Sequence, residues 1–258
     1  MEFRPCIDIH DGHVKQIVGG ALNEHDSHVK ENFVSEDDAV YYAQLYREHS
    51  LYGGHVIILN SSKSLMYEMS RRQALSALKA FPGGLHAGGG VNPENAAEYL
   101  DAGASHVIVT SYVFKEGEID AAALDRMVSA VGREHLVLDL SARKLGEKYM
   151  IVTDRWQRYT SVELSLKTLK ELESSCDEFL IHAVDVEGKR LGIEAEVVGM
   201  LGAWDGCPVT YAGGIHSYDD IYLIDSLGYG KVNITIGSAL DLFGGQMEFK
   251  KVIEYCNN

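Results

Sequence analysis

Two halves of the chain carry the same signals in the same order. Cys6-Ile7-Asp8-Ile9 is a short apolar run holding a carboxylate, and Val137-Leu138-Asp139-Leu140 is the same device 131 residues later. Gly88-Gly89-Gly90-Val91 returns as Ala212-Gly213-Gly214-Ile215, with 124 residues separating Gly89 from Gly213. Val109-Thr110-Ser111 returns as Ile236-Gly237-Ser238, with 127 separating Thr110 from Gly237. Each spacing is close to half of the 258 residues, which predicts a duplicated unit with an internal two-fold. Such a unit offers one carboxylate and one glycine turn per half. That suits a small-molecule bisphosphate, with a phosphate at each end and chemistry between them.

Short aliphatic runs alternate with longer amphipathic stretches. Strands are expected near 4–9, 54–60, 84–88, 105–110, 135–140, 178–183, 208–212 and 231–236. Helices are expected near 36–49, 68–80, 93–102, 119–131, 162–173, 194–204 and 217–227, with a last one after 240. Eight strands each followed by a helix, without a break in composition, predict a single α/β domain over 1–258, a (β/α)8 TIM barrel with a half-barrel repeat. An open doubly wound sheet is the other arrangement such alternation permits, but Gly12 and Gly19-Gly20 do not form the GxGxxG turn of a dinucleotide site. Residues 11–34 and 142–159 are long loops at equivalent places in the two halves, which fits active-site covers.

The formal net charge of −15 argues against nucleic acid, whose phosphates are bound through clustered Lys and Arg. A phosphorylated ligand must then be held locally, by backbone N–H groups at glycine turns and helix starts. No apolar run is long enough to span a bilayer, and Met1-Glu2-Phe3-Arg4-Pro5 has neither the basic start nor the apolar core of a signal peptide. Cys6, Cys176, Cys207 and Cys256 are scattered without a CxxC pair. A reduced, cytoplasmic protein without a disulfide or zinc framework is expected. Internal two-fold symmetry removes one common reason for a barrel to pair, so a monomer is expected too.

Strand ends at the C-terminal face of a barrel point into its mouth, and strands 1 and 5 face each other. Asp8 and Asp139 therefore form an opposed pair suited to general acid–base work, one taking a proton while the other gives one. The acid must keep its proton near neutrality, far above the ordinary Asp value of about 3.9, which burial and mutual repulsion can achieve. The simpler reading of each is a carboxylate capping a turn. Gly89-Gly90 and Gly213-Gly214 end strands and precede helix starts, with Asn92 and Ser217 as expected caps and Pro93 at the first helical position. Thr110-Ser111 and Gly237-Ser238 add hydroxyl and amide donors. A Gly-Gly turn alone is usually structural; its repetition with the neighbouring strand points to two phosphate sites. Eleven histidines form no HExxH pattern, and His10 and His13 read as loop residues. His182 ends strand 6 inside the expected mouth, as a site residue or a satisfied core histidine. Trp156 can stack on a heterocycle or pin its own loop. Lys15 can neutralise substrate charge, though a solvated surface lysine is the default.

These residues also carry a resemblance. Cys6-Ile7-Asp8, Gly12, Val14-Lys15-Gln16-Ile17-Val18-Gly19-Gly20 and Asp139-Leu140-Ser141 resemble the phosphoribosylformimino-aminoimidazole carboxamide ribotide isomerases of histidine biosynthesis, in their eukaryotic-type branch. The likeness continues through Trp156-Gln157, His182 to Gly188, Tyr211 to Gly214 and Phe243-Gly244-Gly245, so it spans essentially the whole chain. It implies a (β/α)8 barrel that performs an Amadori rearrangement of an aminoaldose to an aminoketose without metal or organic cofactor. Asp8 would be the general base at ribose C2 and Asp139 the general acid at the ring oxygen. One phosphate would sit at Gly89, Gly90, Thr110 and Ser111, the other at Gly213, Gly214, Gly237 and Ser238. Gly19, Gly20, Trp156, His182 and Gly188 would complete the substrate contacts. The chain departs from bacterial members at His182 (Thr there), Glu187 (Asp), Asn92 (Arg) and Ile58 (Asp). The ammonia-dependent cyclase of the same pathway shares the barrel, both aspartates and both phosphate sites; the Val14 to Gly20 run and Trp156 favour the isomerase. A non-catalytic phosphosugar-binding barrel is the alternative of another class, and retention of both carboxylates argues against it.

Overall fold

Aliphatic runs that must be buried on both faces form parallel strands, and the amphipathic stretches between them form the helices that cover those strands. The computed structural model describes residues 1–17, 31–189 and 191–256. Eight parallel strands run in sequence order: β1 (Cys6–His10), β2 (Gly54–Ile58), β3 (Leu85–Gly88), β4 (His106–Val109), β5 (Leu136–Asp139), β6 (Glu178–His182), β7 (Val209–Ala212) and β8 (Val232–Thr235). Phe3 bridges Ile234 in parallel, Arg4 N–H donates to the Ile234 carbonyl and Ile234 N–H to that of Glu2, which joins β8 back to the chain before β1. The (β/α)8 barrel expected from the alternation is the fold observed.

The helices are α1 (Ala39–Glu48), α2 (Tyr67–Ala80), α3 (Ala96–Asp101), α4 (Ala121–Val131), α5 (Leu166–Leu172), α6 (Ala195–Gly202), α7 (Tyr218–Leu227) and α8 (Phe249–Cys256). Asp38, Asp120, Ser165 and Ser217 cap α1, α4, α5 and α7 with their side chains; Ser217 and Asp220 form a full capping box. The opening expected at Asn92-Pro93 is displaced. Asn92 Oδ1 instead accepts from Glu94 and Asn95 N–H, forming a turn, and α3 begins only at Ala96. Asn thus spends its side chain on a local turn, an alternative it commonly offers the backbone.

Two apolar layers result. Ile108, Val137, Leu180 and Ala212, with Ile57 against them, form a small cluster separate from the large core beneath the helices. Where described, the long segments after β1 and β5 contain further strands. His13–Ile17 and Glu31–Val34 pair antiparallel beside β1, and residues 142–163 form a three-stranded meander. The expected covers at 11–34 and 142–159 are therefore ordered β-segments where described. Residues 18–30, with Gly19 and Gly20, lie outside the described residues.

Candidate active site

The C-terminal ends of the strands open into a cavity of about 990 Å³. Asp8, Gly89, Gly90, Thr110, Ser111, Asp139, Trp156, His182, Gly188, Gly213, Gly214, Gly237 and Ser238 all line it. The described residues expected to carry the catalysis and the substrate and phosphate contacts thus face one space. Lys15 does not: it is buried in the hairpin beside β1, in register with Val34, and is not on the cavity wall.

Asp8 and Asp139 are held by different donors. Gln16 Nε2 donates to Asp8 Oδ2 at 3.2 Å. Thr110 Oγ1 donates to Asp139 Oδ2 at 3.0 Å and Ser141 Oγ to Oδ1 at 2.8 Å. Trp156 Nε1 in turn donates to Ser141 Oγ at 3.1 Å, so the loop after β5 reaches back onto the carboxyl that ends β5. Gln16 does the same for the loop after β1. The half-barrel repeat therefore extends to how each aspartate is braced, by a residue of its own loop. The Trp156 turn is conformationally costly: Asp154, Arg155 and Trp156 all have positive φ, a region that penalises side chains.

His182 stands in the mouth beside both carboxyls. Its Nε2 lies 2.9 Å from Glu187 Oε2, and the Trp156 ring meets it edge-on with centroids 5.1 Å apart. Burial pushes Asp8 up to about 7, Glu187 adds to the rise, and His182 opposes it. Burial also raises Asp139, against His182 and the Ser141 and Thr110 hydroxyls. Burial alone would depress the His182 imidazole, but Glu187, Asp139 and Asp8 outweigh it and raise the group to about 9. On the opposite wall His55 is driven down to about 3 by burial and by His182. The mouth therefore holds two carboxyls raised above their ordinary range beside the His182 imidazolium, with Arg155 also on the cavity wall.

The glycine turns are built for backbone approach. Gly89 has φ +100°, and a Cβ there would lie 2.1 Å from the Ile58 carbonyl oxygen; Gly213 has φ +117°, and its Cβ would lie 2.6 Å from that of Ala183. The second glycine differs between halves. A Cβ on Gly90 meets nothing within 4 Å, whereas one on Gly214 would lie 2.0 Å from the Gly192 oxygen. Gly237 has another function: its Cβ would fall 2.2 Å from Gln16 Oε1, so it leaves room for the residue that braces Asp8. Ser111 Oγ accepts from Asp154 N–H at 3.0 Å, tying the Trp156 turn to one of the expected phosphate sites. Among the described residues no group of three or more His, Cys, Asp or Glu is arranged to hold a metal ion.

Sequence reasoning left Gln16, Ser141 and Glu187 without roles. Their signal was weak: each is a polar residue within a mostly apolar run, and only the fold shows which polar groups face the mouth. Arg143 Nε to Asp185 Oδ1 at 2.9 Å, and Lys144 N–H to Asp185 Oδ2 at 2.8 Å, fasten the meander to the Glu187 loop.

The geometry defines a class first: a (β/α)8 barrel whose C-terminal mouth holds two buried carboxyls and two glycine turns around one cavity. Comparison with known proteins is consistent and narrower. The family described as "Histidine biosynthesis protein" matches residues 2–248. A Medicago truncatula protein named 1-(5-phosphoribosyl)-5-((5-phosphoribosylamino)methylideneamino)imidazole-4-carboxamide isomerase, chloroplastic, is 49% identical over 100% of this chain and 82% of its own length. Proteins of the same isomerase name from Neurospora crassa and Saccharomyces cerevisiae are 45% and 42% identical, each over 95% of this chain and over 93% and 94% of their own lengths. The chain belongs to the histidine biosynthesis protein family.

Proposed function

We propose that this chain catalyses the isomerisation for which its relatives are named, converting the phosphoribosyl aminoaldose unit of the imidazole carboxamide ribotide to the phosphoribulosyl aminoketose. The observation that carries the reading is the pair of carboxyls in one cavity that both glycine turns also line. The identity of 42–49% to proteins bearing the isomerase name favours it over the ammonia-dependent cyclase and over a barrel that merely binds phosphosugar.

The reaction is an Amadori rearrangement. Asp139 protonates the ribose ring oxygen, the C1–O bond breaks, and the exocyclic nitrogen closes a Schiff base to C1. Asp8, with an affinity for protons matched to neutral pH, removes the C2 proton and returns it to C1, while the C2 hydroxyl gives its proton back to Asp139, leaving a ketone at C2. Gly89, Gly90, Thr110 and Ser111 hold one phosphate, and Gly213, Gly214, Gly237 and Ser238 the other, through backbone N–H and hydroxyl donors. Trp156, His182, Gly188, Gly19 and Gly20 complete the substrate contacts. This reading takes residues 1–258 as one barrel domain, acting as a cytoplasmic monomer on a small molecule. Among the described residues no helix is long and apolar enough to cross a membrane.

The test is turnover of the purified chain with the aminoaldose, followed by chromatography, beside Asp8→Asn and Asp139→Asn. Conversion without ammonia by the parent, reduced at least ~10²-fold in each variant, is expected. Binding of substrate without conversion would overturn the reading, and conversion only with ammonia would move it to the cyclase.

A further inference from the structure

The two halves hold their aspartates with unlike residues at like positions. Thr110 follows β4, which pairs with β5 through Val109 and Leu138, and its Oγ1 donates to Asp139 at 3.0 Å. Its counterpart in the repeat, 127 residues on, is Gly237 after β8. β8 is joined to the chain before β1, the strand that carries Asp8. Gly237 has no hydroxyl to give. Its backbone does not demand a glycine, because its φ lies outside the left-handed region. What a side chain there would strike is Gln16. A Cβ on Gly237 would lie 2.2 Å from Gln16 Oε1 and 3.2 Å from its Cδ, and the next neighbour is Cys6 Sγ at 3.7 Å.

Gln16 reaches this place from the hairpin beside β1, where it is in register with Phe33 and buried. Its Nε2 donates to Asp8 Oδ2 at 3.2 Å and to Cys6 Sγ at 3.8 Å. The Cys6 thiol in turn donates to the Ile236 carbonyl at 3.8 Å. The carboxamide thus has its nitrogen between two acceptors and its oxygen against Gly237, which fixes the way it faces.

We propose that Gln16 is the positioning residue of the base, its carboxamide filling the space that Gly237 leaves and giving Asp8 the hydrogen bond that Thr110 gives Asp139. The inference rests on the isomerase reading, which makes Asp8 the base. It also gives Gly237 a part beyond phosphate binding, since the missing side chain is what admits Gln16. A donor on one oxygen holds the plane of the carboxyl and favours the carboxylate, the form able to take a proton from C2. Burial, and then Glu187 from the loop after β6, act against that charge; His182 from β6, Gln16 and the Cys6 thiol act for it.

The experiment compares the purified parent with Gln16→Met, which keeps the bulk without an N–H, with Gln16→Ala, and with Gln16→Ala combined with Gly237→Thr. Kinetics with the aminoaldose are followed across pH, and the Asp8 carboxyl is titrated by NMR in the unliganded proteins. Gln16→Met should lose ~10–10²-fold in kcat near neutral pH, with KM changed only a few-fold. The acid limb of its profile and the Asp8 titration should both move upward from about 7. The double variant should regain several-fold of the kcat that Gln16→Ala loses, because the threonine hydroxyl replaces the lost donor. Parent-like kcat and limb in Gln16→Met would overturn the inference, as would a folded double variant no better than Gln16→Ala. Should Gln16→Ala fail to fold, the limb and titration of Gln16→Met decide alone. No turnover by the parent would overturn the isomerase reading, whereas an Asp8 titration unmoved by Gln16→Met would overturn the bracing whether or not the parent turns over.

Discussion

Asp8 and Asp139 are one residue type at one strand position in the two halves, yet their surroundings separate them. Asp8 has one amide donor and the anionic Glu187 among its strongest influences; Asp139 has two hydroxyl donors and the cationic His182. Environment, not residue type, lets two carboxyls take different parts in one reaction. It also has a stability consequence with a definite sign. The folded-state pKa of Asp8, about 7, lies above the unfolded value of about 3.9, so the native state binds more protons between them. The stability Asp8 contributes is full below pH ~4 and is lost as pH rises through about 7. Asp8→Asn should therefore melt higher than the parent at pH 8, by on the order of 1–4 kcal/mol, with the difference shrinking towards zero near pH 4. Thermal melts of both proteins across that range check it; equal melting temperatures at pH 8 would contradict the burial argument.

At the level of elements, the glycine turns and the long loops divide the labour. Gly89 and Gly213 have positive φ and no room for a side chain, whereas Gly90 has positive φ beside open cavity. Gly89→Ala should cost on the order of 2–4 kcal/mol, because its Cβ would drive into backbone that cannot yield. Gly90→Ala should cost only about 1–2 kcal/mol from backbone strain and should raise KM. Gly237→Ala should barely move the melting temperature, since the flexible end of Gln16 can yield, but it should lower kcat by releasing the brace on Asp8. Melts and steady-state kinetics on the three variants separate these outcomes. The sequence made the glycine pairs legible as turns through their repetition. It could not show that Gly237 makes room for Gln16, because that contact joins the end of β8 to a hairpin at the other end of the chain.

Across the whole molecule, polar groups also lie deep in the barrel wall. Arg4 pairs with Glu178, which also accepts from Thr210 at 2.7 Å, and His55 and His86 are buried in the same sheet. Burial depresses both imidazoles, His55 to about 3 and His86 also well below its ordinary value. The unfolded chain binds protons at these positions from about pH 6.5 downward while the native chain resists them, so stability falls on acidification. The melting temperature should drop steeply between pH 6 and pH 3, and His55→Gln should flatten that slope. A slope unchanged by the substitution would show that His55 takes its proton without unfolding the barrel.

The order of alternating elements, the duplicated Asp and Gly-Gly signals and the helix cap at Ser217 are local properties, and the chain declares them locally. An apolar run of strand length, a glycine pair or a serine before a helical stretch acts through its immediate neighbours. They were enough to anticipate the barrel and the residues around its mouth. Tertiary structure decided what depends on the rest of the chain: Lys15 being buried in the hairpin beside β1, and the bracing of Asp8 by Gln16 and of Asp139 by Thr110, Ser141 and Trp156. It also decided the charge on His182. Ionisation is set by desolvation and by carboxylates from β1, β5 and the loop after β6, which only closure of the barrel brings around one imidazole.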